Sequence, residues 1–273
     1  LLIDKEKLLD NIRYMQSYAN KNLVTLRPHA KTHKMPYIAK LQEEYGAKGI
    51  AVAKVGEAEV MAANGLKDIF IANEIVGMPK LMRIRELAKS IDISFGVDSI
   101  PQIDMVEEAF EGAEKKAQVL IEIEVGENRS GVVEEKDFID LVKHIKACRN
   151  INLKGIFSHE GHCYSARDVE HCRELFMESQ KRTLRFAEIA ENLGCKLDTV
   201  SIGSTPSSMF DFEIMEGITE LRVGTYVFMD ASQGNAIGTY DRCAATVLTT
   251  VISRPTEERV ITDVGAKGIT MQT

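Results

Sequence analysis

Apolar residues in this chain alternate between two arrangements, short unbroken runs and longer stretches with apolar positions three or four apart. The short runs read as buried strands at residues 23–26, 49–53, 68–72, 93–97, 118–125, 153–157, 199–202 and 221–223. The longer stretches read as helices over 5–20, 35–45, 55–64, 80–90, 100–116, 135–147, 167–193 and 207–215. Asp4 can cap the first, whose Leu8, Ile12 and Met15 share one face, and Asn64-Gly65 and Leu193-Gly194 are stop signals. Strict alternation of strand and helix implies parallel pairing, and eight such units predict a (β/α)8 barrel, with an open doubly wound sheet as the alternative. After Tyr226 the alternation ends, and residues 244–253 and 259–263 read as strands around Arg254-Pro255. The expected organisation is a cofactor-binding barrel over 1–235 followed, over 236–273, by the first strands of a second, β-rich domain that is truncated.

A barrel keeps its chemistry on the loops after the carboxyl ends of its strands. The first strand runs into His29 and Lys31, the third into Asn73-Glu74 and the fourth into Asp98. The fifth precedes Gly126-Glu127-Asn128-Arg129, the sixth His159-Glu160-Gly161-His162, the seventh Gly203-Ser204-Thr205-Pro206 and the eighth Gly224-Thr225. The unusual polar residues therefore gather at one end of the predicted barrel.

Composition narrows the classes. With 273 residues, 44% hydrophobic and 27% charged, the chain can bury a full core. A net charge of −7 argues against a nucleic-acid surface. Five scattered cysteines without CxxC spacing argue against a disulfide framework and fit a reducing cytoplasm. No apolar run is long enough for a membrane helix. Leu1-Leu2-Ile3-Asp4 lacks the regions of a signal peptide, and an opening without Met implies that residues precede it.

Two stretches carry candidate chemistry. In Arg27-Pro28-His29-Ala30-Lys31-Thr32-His33-Lys34 a lysine at the mouth of an apolar barrel loses hydration, so its amine can become the nucleophile of a Schiff base. A basic surface loop is the competing reading. In Gly203-Ser204-Thr205-Pro206 glycine allows close approach, Ser204 or Thr205 can cap a helix, and free N–H groups can hold a phosphate. An ordinary helix cap is the competing reading there. An amine and a phosphate seat on one barrel together suggest pyridoxal 5′-phosphate.

The motifs RPHAKTHK, VGENRSGV, SHEGHCY, GSTP and LRVGTYVFMD, in this order, resemble the fold-type III pyridoxal-phosphate enzymes. Within these the chain is most similar to the D-threonine aldolase and D-serine dehydratase group, and more distantly to alanine racemase. The resemblance implies that Lys31 holds the cofactor covalently, with Lys34 nearby and non-covalent. It places the phosphate on the Gly203 loop, through Ser204 and Thr205, and on Gly224 and Thr225. Arg129 matches the arginine facing the cofactor's phenolic oxygen, and Arg222 the one facing its ring nitrogen; a structural ion pair is the alternative for each. His159 and Tyr164 would flank cofactor or substrate, with His159 able to shuttle protons near neutrality and ranked above His162 and His29.

A zinc reading of His159, His162, Cys163, His171 and Cys172 lacks the usual spacing. The family's divalent metal ligands would lie beyond Thr273, so no metal-ligating residue is assigned in this chain. The resemblance implies a cytoplasmic, homodimeric lyase acting on D-configured β-hydroxy amino acids. Retro-aldol cleavage of D-threonine-like substrates to glycine and an aldehyde is favoured over D-serine dehydration to pyruvate and ammonia. Racemisation and a non-catalytic cofactor carrier are further alternatives.

Overall fold

Asp4 accepts hydrogen bonds from the backbone of Glu6 and Lys7 and so starts α1 (Lys5–Lys21), which buries Leu8, Ile12 and Met15. The computed structural model describes residues 1–265 and 268–269. Its strands are β1 (Leu2–Ile3), β2 (Thr25–Leu26), β3 (Ile50–Val52), β4 (Asp68–Glu74), β5 (Asp92–Val97), β6 (Ala117–Ile123), β7 (Ile151–Ser158), β8 (Thr199–Ile202), β9 (Glu220–Leu221), β10 (Ala245–Thr246), β11 (Val251–Ser253) and β12 (Ile261–Thr262). The further helices are α2 (Pro36–Glu44), α3 (Val55–Ala63), α4 (Met78–Ala88), α5 (Ile100–Ala109), α6 (Glu135–Ala147), α7 (Val169–Asn192), α8 (Thr205–Met209) and α9 (Ala231–Ile237).

Strands β2 to β9 are the eight expected units, hydrogen-bonded in parallel in the order β2-β9-β8-β7-β6-β5-β4-β3. The sheet curls until its ends meet. His29 bridges Ala51 in parallel, with Ala51 N–H donating to Pro28 O at 2.8 Å and Ala30 N–H to Ala51 O at 2.7 Å. This is the (β/α)8 barrel, and the open sheet is excluded by that seam.

At the amino end of the strands, buried Arg27 donates through Nε to Glu220 Oε2 at 2.7 Å and through Nη1 to Asp68 Oδ1 at 2.7 Å. One guanidinium thus ties β9 and β4 to the segment that follows β2. Gly49 makes room for it, since a Cβ there would stand 2.8 Å from Arg27 Nη1. Inside the barrel Ala51, Phe70, Leu120 and Phe157 form their own apolar cluster, Phe70 meeting Phe157 edge to face at 5.1 Å. That cluster underlies the site.

Several boundaries differ from the periodicity. Leu23 continues an apolar run but is 94% exposed with φ 57°, because the turn out of α1 passes through it and the strand begins at Thr25. Helix α5 stops at Ala109, with Gly112 at φ 67°. Helix α8 starts at Thr205 and ends at Met209, since Asp211 turns at φ 57° and Phe210 and Phe212 pack together at 5.5 Å. The tail strands are shorter than expected. β10 pairs antiparallel with β1, β11 pairs antiparallel with β12, and residue 235 lies within α9.

Candidate active site

The carboxyl ends of the barrel strands surround a cavity of about 470 Å³, lined by Lys31, Arg129, His159, Tyr164, Gly203, Ser204, Thr205, Arg222, Gly224 and Thr225 among others. All ten residues singled out from the sequence are brought to this one space. Lys31 follows the seam segment directly, and its backbone N–H donates to His29 Nδ1 at 3.3 Å. Its side chain is open to solvent through the cavity mouth and enclosed elsewhere. Partial burial, then the charges of Arg129 and Arg222, lower its pKa from the ordinary lysine value. Lys34 takes a left-handed backbone, φ 54°, and its amine lies 3.4 Å from Glu57 Oε1 rather than on the cavity wall.

Opposite the lysine, Ser204 precedes α8 and Gly224 precedes a short 3-10 turn, Thr225–Val227. Gly203 is pressed against β9, where a Cβ would stand 2.2 Å from Arg222 O. Thr205 Oγ1 is buried without a hydrogen-bond partner. A buried hydroxyl in that state is costly unless a ligand completes it. The Tyr164 hydroxyl reaches Thr225 Oγ1 at 3.3 Å.

Arg222 lies on the cavity floor over Phe157, 5.1 Å from the ring centroid, and Phe70, at 5.8 Å. Its Nη1 donates to Ser201 Oγ and its Nη2 to Ser158 O, both at 2.7 Å. No carboxylate pairs with it among the described residues, so the structural ion pair does not apply to this arginine. Arg129 is exposed at the rim, 3.5 Å from Glu127 Oε1. His159 donates from Nδ1 to Gly203 O at 2.6 Å, which fixes the tautomer and leaves Nε2 as an acceptor. Burial, then Arg222, push its pKa down to about 3. A pKa held that low favours the neutral imidazole, which presents Nε2 as a hydrogen-bond acceptor.

His29, ranked below His159 from the sequence, and Glu127, named there only as part of its loop, also line the cavity, as does Glu122, which sequence reading passed over. Glu122 carried a signal, a carboxylate inside the apolar strand β6; it is 5% exposed and accepts from Ser130 Oγ at 2.8 Å. The zinc constellation does not assemble. Among the described residues no three His, Cys, Asp or Glu side chains converge on a metal position.

The family model described as alanine racemase, N-terminal domain, matches residues 3–232. The chain belongs to that family. It is 35% identical to a D-threonine aldolase of Arthrobacter sp. over 278 residues, covering 100% of this chain and 72% of that protein. A D-serine dehydratase of Dictyostelium discoideum is 30% identical, over 89% of this chain and 66% of its own length. Among solved structures, D-threonine aldolase from Filomicrobium marinum superposes with a TM-score of 0.87 at 29% identity, over 97% of this chain and 73% of that one. Alanine racemase from Bacillus anthracis shares the fold at 17% identity, TM-score 0.69, over 84% and 57% of the two chains.

Pyridoxal 5′-phosphate is the cofactor expected of this family, and the residues present fit it. An amine of lowered pKa, an unpartnered buried hydroxyl beside a glycine-lined loop, and an arginine bonded only to neutral groups face one cavity. Among the described residues no helix is long and apolar enough to cross a membrane.

Proposed function

We propose that this chain is the barrel of a pyridoxal-phosphate lyase that cleaves D-threonine-like β-hydroxy amino acids to glycine and an aldehyde. The observation that carries the cofactor reading is the placement of Lys31 and the unpaired Thr205 hydroxyl on one cavity. Similarity over the whole chain to a D-threonine aldolase favours the retro-aldol direction. D-serine dehydration is the second reading, favoured by the relative of that activity.

Bound pyridoxal phosphate supplies the electron sink that lets a bond next to Cα break. The chain's own residues hold and orient it. Lys31, partly desolvated and flanked by cations, has more of its amine in the nucleophilic form than an exposed lysine and takes the covalent role. Ser204, Thr205, Gly224 and Thr225 hold the phosphate, while Gly203 lets the loop approach closely. Arg222, pinned by Ser201 and Ser158, would hold the ring-nitrogen side of the cofactor, where its fixed charge would discourage protonation. Arg129, at the rim, would hold the phenolic-oxygen side. Tyr164 closes over Thr225, and His159 offers Nε2 as an acceptor.

Among the described residues no cluster of His, Cys, Asp or Glu offers ligands for a divalent metal on the substrate hydroxyl. The homodimer is what membership of the alanine racemase family suggests. All five cysteines are free, which supports the cytoplasm. The test is turnover of D- and L-threonine, serine and alanine, with and without chelator. Glycine and acetaldehyde from D-threonine alone are expected. Pyruvate and ammonia from D-serine would replace the aldolase by the dehydratase, racemised alanine by a racemase, and a yellow but inactive protein by a carrier.

A further inference from the structure

The side chains of His159 and Glu160, consecutive residues after β7, take opposite ends of Gly203. His159 Nδ1–H donates to Gly203 O at 2.6 Å, and Gly203 N–H donates to Glu160 Oε2 at 3.2 Å. The other Glu160 oxygen lies 3.1 Å from Ser207 Oγ, which lies 3.0 Å from Ser204 Oγ. Glu160 is wholly buried, whereas Ser204 lines the cavity. A hydrogen-bonded file therefore runs from a buried carboxyl to the wall of the cavity.

While the file is intact its direction has two settings, because each hydroxyl has one proton to give; the Ser204 carbonyl oxygen, 3.2 Å from Ser207 Oγ, is the competing acceptor. With an ionised Glu160, Ser207 donates to the carboxylate and Ser204 donates to Ser207, so Ser204 has no proton for a ligand. With a protonated Glu160, the carboxyl donates to Ser207, Ser207 donates to Ser204, and Ser204 donates into the cavity. A phosphate only accepts from that hydroxyl and therefore selects the second setting. Burial favours the same protonation state, raising the pKa of Glu160. The ionisable groups near Glu160 are Arg222, acting through space, Tyr18 and Cys163 with raised pKa values, Cys172 with a lowered one, and His159, whose lowered pKa keeps it neutral.

We propose that Glu160 is a positioning residue that holds a proton when phosphate is bound, so that Glu160, Ser207 and Ser204 donate in series to the anion while the side-chain Oε2 of Glu160 anchors the Gly203 N–H. The proton comes from solvent and no covalent bond changes. The proposal rests on the pyridoxal-phosphate reading above, and its test separates the two.

Affinity for pyridoxal phosphate and for pyridoxal, which lacks the phosphate, is measured by absorbance titration on wild type, Glu160→Gln, Glu160→Ala and Ser207→Ala. Glutamine mimics the protonated acid, its carbonyl accepting from Gly203 and its amide donating to Ser207. Glu160→Gln should bind pyridoxal phosphate within about threefold of wild type, whereas Glu160→Ala and Ser207→Ala should weaken it about tenfold or more, the scale of one lost hydrogen-bonding partner. Pyridoxal affinity should stay within about twofold in all four. Loss in Glu160→Gln equal to that in Glu160→Ala would overturn the protonated assignment, as would parallel loss of both ligands. If Glu160→Ala fails to fold, Ser207→Ala decides, and an unchanged preference for the phosphorylated ligand in it sinks the proposal. Wild type that binds neither ligand would instead refute the cofactor reading.

Discussion

Glu74, with a buried carboxyl oxygen that has no hydrogen-bond partner, stands near the buried carboxylate of Glu122, and two like charges in such a place favour keeping a proton on one of them. Burial first, then Glu122, raise the Glu74 pKa to about 9, while Ser130 holds the far side of Glu122 at 2.8 Å. Between the ordinary carboxylate range and pH 9 the folded state binds more protons here than the unfolded chain does. Stability from the pair is therefore full at acid pH and is lost as pH rises through that window. Glu74→Gln keeps a donor without a titration. The melting temperature of the variant should gain on wild type steadily from pH 5 to pH 9, and a constant difference would refute the retained proton.

Lys31 and Lys34 are separated by their surroundings. Borohydride reduction followed by peptide mass spectrometry should find pyridoxyl phosphate on Lys31, lost entirely in Lys31→Ala and retained in Lys34→Ala. Because Arg129 helps depress the Lys31 pKa, Arg129→Gln should move the pH midpoint of cofactor capture upward. A midpoint that stays put would remove Arg129 from the lysine's environment.

Thr205→Val tests the unpaired hydroxyl. Removing a polar atom that has no partner in the ligand-free protein should leave its melting temperature unchanged or higher. The same change should weaken pyridoxal phosphate about tenfold, on the scale of a hydrogen bond to a charged group. A destabilised ligand-free variant would show that the hydroxyl already has a partner.

Arg27→Ala strips a buried cation from two carboxylates. Leaving Glu220 and Asp68 uncompensated should cost about 3–5 kcal/mol in urea unfolding at neutral pH. A cost below about 1 kcal/mol, the range of exposed pairs, would demote the triad to a surface contact.

Arg222→Glu should shift ring-nitrogen protonation in the bound cofactor, followed by nitrogen NMR. An unchanged signal would end the assignment of Arg222 to that nitrogen.

The fold was readable because each barrel strand is a buried run flanked by an amphipathic helix, and because the loop residues fell at one end of every unit. The site residues were readable where a motif brought several unusual residues together, as around Lys31 and Gly203. Glu160 was not, since its partners Gly203 and Ser207 lie 43 and 47 residues away and only the curl of the barrel joins them. The environment of His159 was equally hidden, because its low pKa comes from burial and from Arg222 across the floor. Leu23 misled the periodicity, as apolar residues also occur in exposed turns.

The segment that leads to Lys31 is held on two sides, by the last barrel strand, β9, and by the next one in the chain, β3. Thr25 pairs with Glu220, and Ala30 hangs its N–H on Ala51 immediately before the lysine. A growing polypeptide can make the second contact once Ala51 is present but not the first before Glu220, so the last barrel strand to be synthesised completes the seat of the first. The lysine therefore stands on a segment whose support is complete only once the first and last barrel strands have met.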